Sequence, residues 1–290
     1  MADRTRFALV TGCGQGGIGE ALIEEYLQKN IQPIATTLPH ESIEHLEKAG
    51  IIHFPLDVTD ETSVVQLKSS LAAVTNGFLD ILVNNAGIAY TMTAIDTDVS
   101  AVQKMFDVNV FGPMRMVHYF HDMLIRSSGV IVNVGSVGGI VPYIYGSSYN
   151  ASKAALHHWS NTLRIEMAPL GVTVLTIISG EIGTNILSND RKRELPEGSY
   201  YSLLADAFRQ HVDRIPDTTD RFVYARKVVK QSLSRYPPAW FWCGKTTFVV
   251  RFLDIFGWRT TWDYIFTFLF GLGKLRRNEK ERGIAANASK

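Results

Sequence analysis

Short β-rich apolar runs alternate with helix-patterned segments over the first two thirds of the chain, and this rhythm restricts the fold more than any other feature. FALV (7–10), PIATT (33–37), IIHFPLD (51–57), LDILVNN (79–85), GVIVNVGS (129–136) and VTVLTII (172–178) read as strands. Helical patterns lie between them near 18–30, 41–49, 60–76, 98–127 and 151–168. A strand joined to the next by a helix pairs with it in parallel. Several runs are continuously apolar, as a sheet covered on both faces requires. The expected fold class is α/β, a doubly wound parallel sheet of six to seven strands followed by a helical, aromatic-rich C-terminal extension. With 290 residues, 46% of them hydrophobic, and no linker, the chain reads as a single domain, 1–290.

Directly after the first strand runs Thr11-Gly12-Cys13-Gly14-Gln15-Gly16-Gly17-Ile18-Gly19, and then the helical EALIEEYLQK. Glycines let a backbone turn tightly and approach a pyrophosphate, and the helix that follows offers free N–H groups. Strand, glycine loop and helix together are the context in which such a loop cradles a dinucleotide. Gly12, Gly17, Ile18 and Gly19 are the contacts expected there. The end of the second strand selects the nucleotide, an acid favouring a ribose 2′-OH and an arginine a 2′-phosphate. Thr36-Thr37-Leu38-Pro39-His40 has neither. The missing acid removes repulsion, and Thr37 with its neighbours offers donors. The lean is toward NADP(H), with NAD(H) still open.

Ser136, Tyr149 and Lys153 form a proton-transfer set. Tyr and Lys at i,i+4 project from one helix face, where the ammonium is expected to pull the phenol below its usual pKa of ~10. A serine opposite could hold a carbonyl or alcohol oxygen. Neighbouring Tyr143 and Tyr145 have no lysine at i+4 and read as pocket lining. His157 and His158 read as packing or surface residues.

In order along the chain stand Thr11-Gly12 through Gly19, Asp57-Val58, Asn84-Asn85-Ala86-Gly87, Asn109, Ser136 and Tyr149-x3-Lys153. This ordered set resembles the short-chain dehydrogenase/reductase family across residues 6–185, which implies a Rossmann-type sheet and hydride transfer between NADP(H) and a CH–OH or carbonyl group. The resemblance implies that Tyr149 is the general acid/base, that Lys153 tunes it and bonds the nicotinamide ribose, and that Ser136 anchors the substrate oxygen. By the same resemblance the Asn109 main chain holds a relay water, Asp57 and Val58 contact adenine, Asn85, Ala86 and Gly87 wall the adenosine ribose, and Ile182 and Thr184 meet the nicotinamide amide. Along the chain this reading gives a dinucleotide-binding and catalytic core (1–184), a substrate lid (185–225) after the last strand, where such a sheet opens its ligand crevice, and an aromatic extension (236–273). No metal is implied. Three departures stand out. The glycine loop is one residue longer than the family's, with Gly14 and Gly16 expected at positive φ. Ser179-Gly180 replaces the family's Pro-Gly, and Glu181 places a carboxylate nearby.

Pro113 lies four residues after Asn109. It has no N–H to bond the Asn109 carbonyl, so the helix is expected to kink there and free that carbonyl.

The formal net charge of +1 gives no electrostatic case for nucleic acid. Cys13 and Cys243, far apart, argue against a disulfide framework and for a reducing, cytoplasmic compartment. The first strand leaves no room for a signal peptide. Four of the five tryptophans fall between Trp240 and Trp262. The longest uncharged run there, Tyr264–Gly273, has ten residues, against the ~20 a membrane span needs. The tail therefore reads as core and homo-oligomer interface, as a wall for a hydrophobic carbonyl substrate, or, with the basic residues that follow, as a peripheral lipid-surface contact through 236–282. Its PPAWFW start is similar to the tail of fungal reductases of the 1-acyldihydroxyacetone-phosphate type, which implies NADPH and a lipid ketone. Arg191-Lys192-Arg193 would suit a substrate phosphate but reads more simply as a solvated charge run. The different-class alternative is a catalytically silent nucleotide-binding scaffold or a membrane-interaction protein of the same fold.

Overall fold

The computed structural model describes residues 4–186 and 193–277. Seven strands run in parallel: β1 Phe7–Val10, β2 Gln32–Thr37, β3 Ile52–Pro55, β4 Ile81–Asn84, β5 Val130–Val134, β6 Thr173–Ser179 and β7 Trp240–Cys243. Their order is β3-β2-β1-β4-β5-β6-β7, so the winding reverses between β1 and β4. Ligands of such sheets bind at that switch, beyond the carboxyl ends of the strands. Pro55 is tolerated because β3 is an edge strand.

The helices are α1 Ile18–Gln28, α2 Glu44–Lys48, α3 Glu61–Thr75, α4 Val99–Phe106, α5 Gly112–Ser127, α6 Ser147–Met167, α7 Ala205–Val212, α8 Arg221–Ser232, α9 Thr247–Phe256 and α10 Thr261–Leu269. Alternate strand residues feed two cores. Ala8, Val10, Val83 and Leu175 meet Leu22 and Tyr26 of α1 and Tyr224 and Val228 of α8. Leu9, Leu82 and Ile131 face the other way, against α3, α5 and α6. Both faces are thus buried, which is why the strands read as continuous apolar runs.

Four differences from the sequence expectations have physical causes. β7 was not foreseen as a strand. Trp240–Cys243 pairs in register with Thr176–Ser179, so the aromatic extension begins as the sheet's outer edge. Residues 221–232 form a helix packed in the α1 core, so the segment set apart as a lid runs at its end into structural core; residues 187–192 of it lie outside the described residues. α6 starts at Ser147 rather than near 151, and Tyr149 sits in its first turn. In the glycine loop, Gly12 and Gly16 take positive φ but Gly14 does not. The Gly14 carbonyl instead accepts the Gly17 N–H at 3.1 Å, closing the turn that absorbs the extra residue.

The helix carrying Asn109 is interrupted just before Pro113. Residues 107–111 form a π-turn between α4 and α5, a common origin of helix kinks. The Gly112 N–H reaches back to Asp107, and Pro113 offers the Asn109 carbonyl nothing.

Candidate active site

The glycine loop lies against the ends of β1 and β4. A side chain at Gly12, with φ +69°, would come within 2.9 Å of the Ala86 Cα, and one at Gly19 would overlap the Gly12 carbonyl and crowd the Asn85 amide. The Asn85 amide donates to Thr11 O and Gly12 O at 2.8 and 2.9 Å, and the Thr11 hydroxyl accepts the N–H groups of Asn85 and Ala86, both at 3.0 Å. Gly17 is the N-cap of α1 and provides no side chain to cap it, while Ile18 opens the helix against the core. An uncapped helix end behind a bare backbone turn fits a phosphate group. Around it, Thr37 is buried at the end of β2. Val58 is buried, packed close to Gly112. Asp57 ties its loop by accepting Thr59 N–H and Oγ1–H at 2.9 and 2.7 Å.

Four residues near this loop escaped the sequence reading. Glu20 Oε2 accepts the Gly16 N–H at 2.8 Å and pairs with Arg221 at 3.1 Å. His45 Nε2 meets the Cys13 carbonyl at 2.8 Å. Glu41 Oε2 accepts the Leu38 N–H at 3.0 Å, and its carboxylate lies beside Gly14. Glu41 stands one residue past the segment searched for an acid, and the turn after β2 folds it back.

The proton-transfer set converges beyond β5. Ser136 lies two residues after the strand, where its Oγ accepts the Gly138 N–H at 3.0 Å. The nearby Ser136 hydroxyl draws the Tyr149 phenol down, yet burial dominates and holds it above its ordinary pKa. Lys153, 5% exposed, stands with Nζ 5.8 Å from the Tyr149 ring centre and donates to Val134 O at 3.0 Å. Burial pushes its ammonium down to about 8. The expected lowering of the tyrosine by the lysine is therefore not what this arrangement gives. Both groups are buried together, and desolvation favours the neutral form of each over their mutual attraction.

Asn109 is buried at the π-turn. Its side chain clamps the main chain of Ile88, accepting N–H at 2.9 Å and donating to O at 3.0 Å, and donates to Ser152 Oγ on α6 at 3.1 Å. A Cβ at Gly87 would meet Asn109 Oδ1 at 3.3 Å and Lys153 Nζ at 3.6 Å, so Gly87 seats these groups side by side. Past β6, Gly180 must lack a side chain because a Cβ would overlap the Lys245 carbonyl. The Ser179 hydroxyl, in the place of the family's proline, pairs with Tyr224 Oη at 2.7 Å. Ile182 packs on Gly244, Thr184 is half-buried, and Glu181 bridges through its main chain to Lys245.

A cavity of about 580 Å³ near the start of α6 is lined by Tyr143, Ile144, Tyr145, Asn150, Tyr201, Trp262 and Phe266 among others. Tyr143 packs edge-on against Phe266 and Phe270 of the tail. Tyr145 adopts φ +63° and is buried, its phenol pushed up to about 12. His211, pushed down to about 3 by burial and by Arg214, sits neutral among Tyr143, Tyr145 and Phe270. Arg193 lies over the Tyr90 ring at 4.2 Å; Arg191 and Lys192 are outside the described residues. His158 is exposed, while His157 is buried behind Ser136.

A glycine loop at the switch point and a Ser, Tyr and Lys converging beyond β5 define a dinucleotide-dependent oxidoreductase site. The chain belongs to the short chain dehydrogenase family, whose signature matches residues 6–195. It is 69% identical over 276 residues to the short-chain dehydrogenase virD of Hypocrea virens, covering 95% of this chain and 96% of that one. It is 45% identical over 203 residues to the NADPH-dependent 1-acyldihydroxyacetone phosphate reductase of Schizosaccharomyces pombe, 69% of each chain. Among solved structures, the closed form of serine dehydrogenase complexed with NADP+ superposes with a TM-score of 0.71 at 26% identity, over 83% of this chain and 95% of that one.

Proposed function

We propose that the protein is an NADP(H)-dependent reductase of a hydrophobic ketone or aldehyde, lipid-like or from secondary metabolism. The observation that carries this is the packing of Tyr149 against the cluster that holds Tyr145, which also lines the aromatic cavity. Tyr149 itself packs with Tyr145, Phe208 and Phe270 in one cluster. NADP(H) is favoured by the nature of the S. pombe reductase and by the NADP+ complex.

When bound, a nicotinamide supplies or takes the hydride. The residues of this chain handle the oxygen and the proton. Ser136 Oγ–H donates to the substrate oxygen and fixes its place. Tyr149, neutral in its buried seat, gives the proton as negative charge develops there, an effect typically worth ~10²–10⁴-fold. The Lys153 ammonium stabilises the phenolate that remains, and the Asn109 carbonyl, which Pro113 cannot bond, would hold a water that returns the proton. Gly12, Gly17, Ile18 and Gly19 hold the pyrophosphate, Thr37 the 2′-phosphate side, Asp57, Val58, Asn85, Ala86 and Gly87 the adenosine, and Ile182 and Thr184 the nicotinamide amide. The described part of 185–225 and the α10 aromatics close over the substrate.

The test is NADPH and NADH oxidation against a panel of lipid and polycyclic ketones that includes an acyldihydroxyacetone phosphate. Tyr149→Phe should lose turnover and keep NADPH affinity. A protein that binds NADPH and turns over no carbonyl even with Tyr149 in place would instead be the silent scaffold.

Contact with a lipid surface is a second reading, favoured by one observation. Phe248, Phe252, Phe256, Trp258 and Phe268 are each more than half exposed on α9, α10 and the turn between them, and Lys274, Arg276 and Arg277 flank Tyr264 and Phe268 in an adjoining groove. Aromatics beside basic residues match a headgroup layer. Among the described residues no helix is long and apolar enough to cross a membrane.

A further inference from the structure

Tyr149, Lys153, His157 and Asn161 stand four residues apart on α6 and make one stripe along its inner face. The stripe grips the sheet residue by residue. Lys153 donates to Val134 O at 3.0 Å, His157 Nε2 accepts the Ser136 N–H at 3.2 Å, and Asn161 Oδ1 accepts from Trp240 Nε1 at 2.9 Å. Space is reserved for the imidazole, since a side chain at either Gly135 or Gly139 would overlap its ring. Trp240 of β7 packs on it with ring centres 5.5 Å apart. Ser136 is thus held at two points, its N–H by His157 and its Oγ by Gly138.

We propose that His157 is a positioning residue for the reaction, holding the main chain of Ser136 so that the hydroxyl meets the substrate oxygen. The inference rests on the role given to Ser136 above. It requires an unprotonated Nε2 and the proton on Nδ1. Nδ1 is buried and has no hydrogen-bond partner among the described residues, so the ring's hydrogen bonding there runs through Nε2. Burial, reinforced by the Lys153 charge, pushes His157 down to about 4 and keeps it neutral.

The test uses the best ketone of the panel, His157→Phe and His157→Gln, and each change again in a Ser136→Ala background. His157→Phe should lower kcat about 10- to 100-fold, the range of a misplaced reacting group, with NADPH affinity unchanged. Glutamine, whose Oε1 reaches the Nε2 position, should recover most of it. With Ser136 replaced by alanine, His157→Phe should cost nothing further. Equal losses in both backgrounds, or wild-type kcat in His157→Phe, overturn the inference alone. Full turnover by Ser136→Ala overturns the role of Ser136 and this inference with it. If the phenylalanine variant does not fold, nitrogen NMR of the intact protein decides: Nδ1–H at neutral pH supports the inference, and Nε2–H overturns it.

Discussion

The Lys153 ammonium donates to the Val134 carbonyl, the last residue of β5, at 3.0 Å. That bond keeps a cation where burial opposes it, and its pKa falls from 10.5 to about 8. Between these values the unfolded chain binds more protons than the folded one, so stability rises with pH over that window as the buried charge is lost. Lys153→Met should therefore raise stability at pH 7 by about 1 to 3 kcal/mol while removing turnover. It should also flatten the rise between pH 8 and 10.5. Thermal unfolding across that range checks both.

Glu41 sets a limit on cofactor preference. Its carboxylate lies beside Gly14, just after the end of β2, where a dinucleotide's ribose would sit. A carboxylate there repels a 2′-phosphate. Glu41→Gln should improve the NADPH to NADH ratio of kcat/KM about fivefold, the size of one nearby charge in a wet site. Steady-state kinetics with both nucleotides measures it.

The fold was legible because its signals are local: apolar runs of strand length, a glycine turn before a helix, tyrosine and lysine one turn apart. What was missed depends on distance. WFWC is four residues between prolines and a glycine and becomes a strand only because β6 offers a free edge. Glu41 and His45 reach the glycine loop through a turn whose path no spacing fixes. His157 carries no motif, and its partner Ser136 stands 21 residues away. The lowered tyrosine pKa failed for a related reason. Spacing puts Lys153 beside Tyr149 but says nothing of how deeply both are buried.

The exposed aromatics of α9 and the turn after it give a prediction on lipid binding. Phe252, Phe256 and Trp258 are 52%, 72% and 83% exposed, so replacing them costs the fold little, within about 0.5 kcal/mol each. The triple change to Asp should abolish co-sedimentation with anionic phospholipid vesicles. Turnover of a water-soluble ketone should stay within about twofold of the parent, as expected for changes remote from the reacting groups.

Cys13 sits under the glycine loop, its thiol donating to Val10 O at 3.2 Å. Burial pushes it up to about 12, and burial also raises Cys243. Burial thus disfavours the thiolate of both, and the thiolate is the reactive species. A chromogenic disulfide reagent should titrate no thiol in the native protein and both after guanidinium unfolding.

β7 makes the tail inseparable from the sheet it follows. A chain ended at Arg235 would lose Trp240–Cys243 along with the aromatic helices and leave the hydrogen-bonding groups of β6 bare from Thr176 to Ser179. An unprotected edge of this kind recruits other chains, and such a fragment would clump for reasons unrelated to lipid or substrate. Shortening has to begin beyond Thr246, where the outer strand and the Gly180–Cys243 hydrogen bond survive and only the greasy helices are shed.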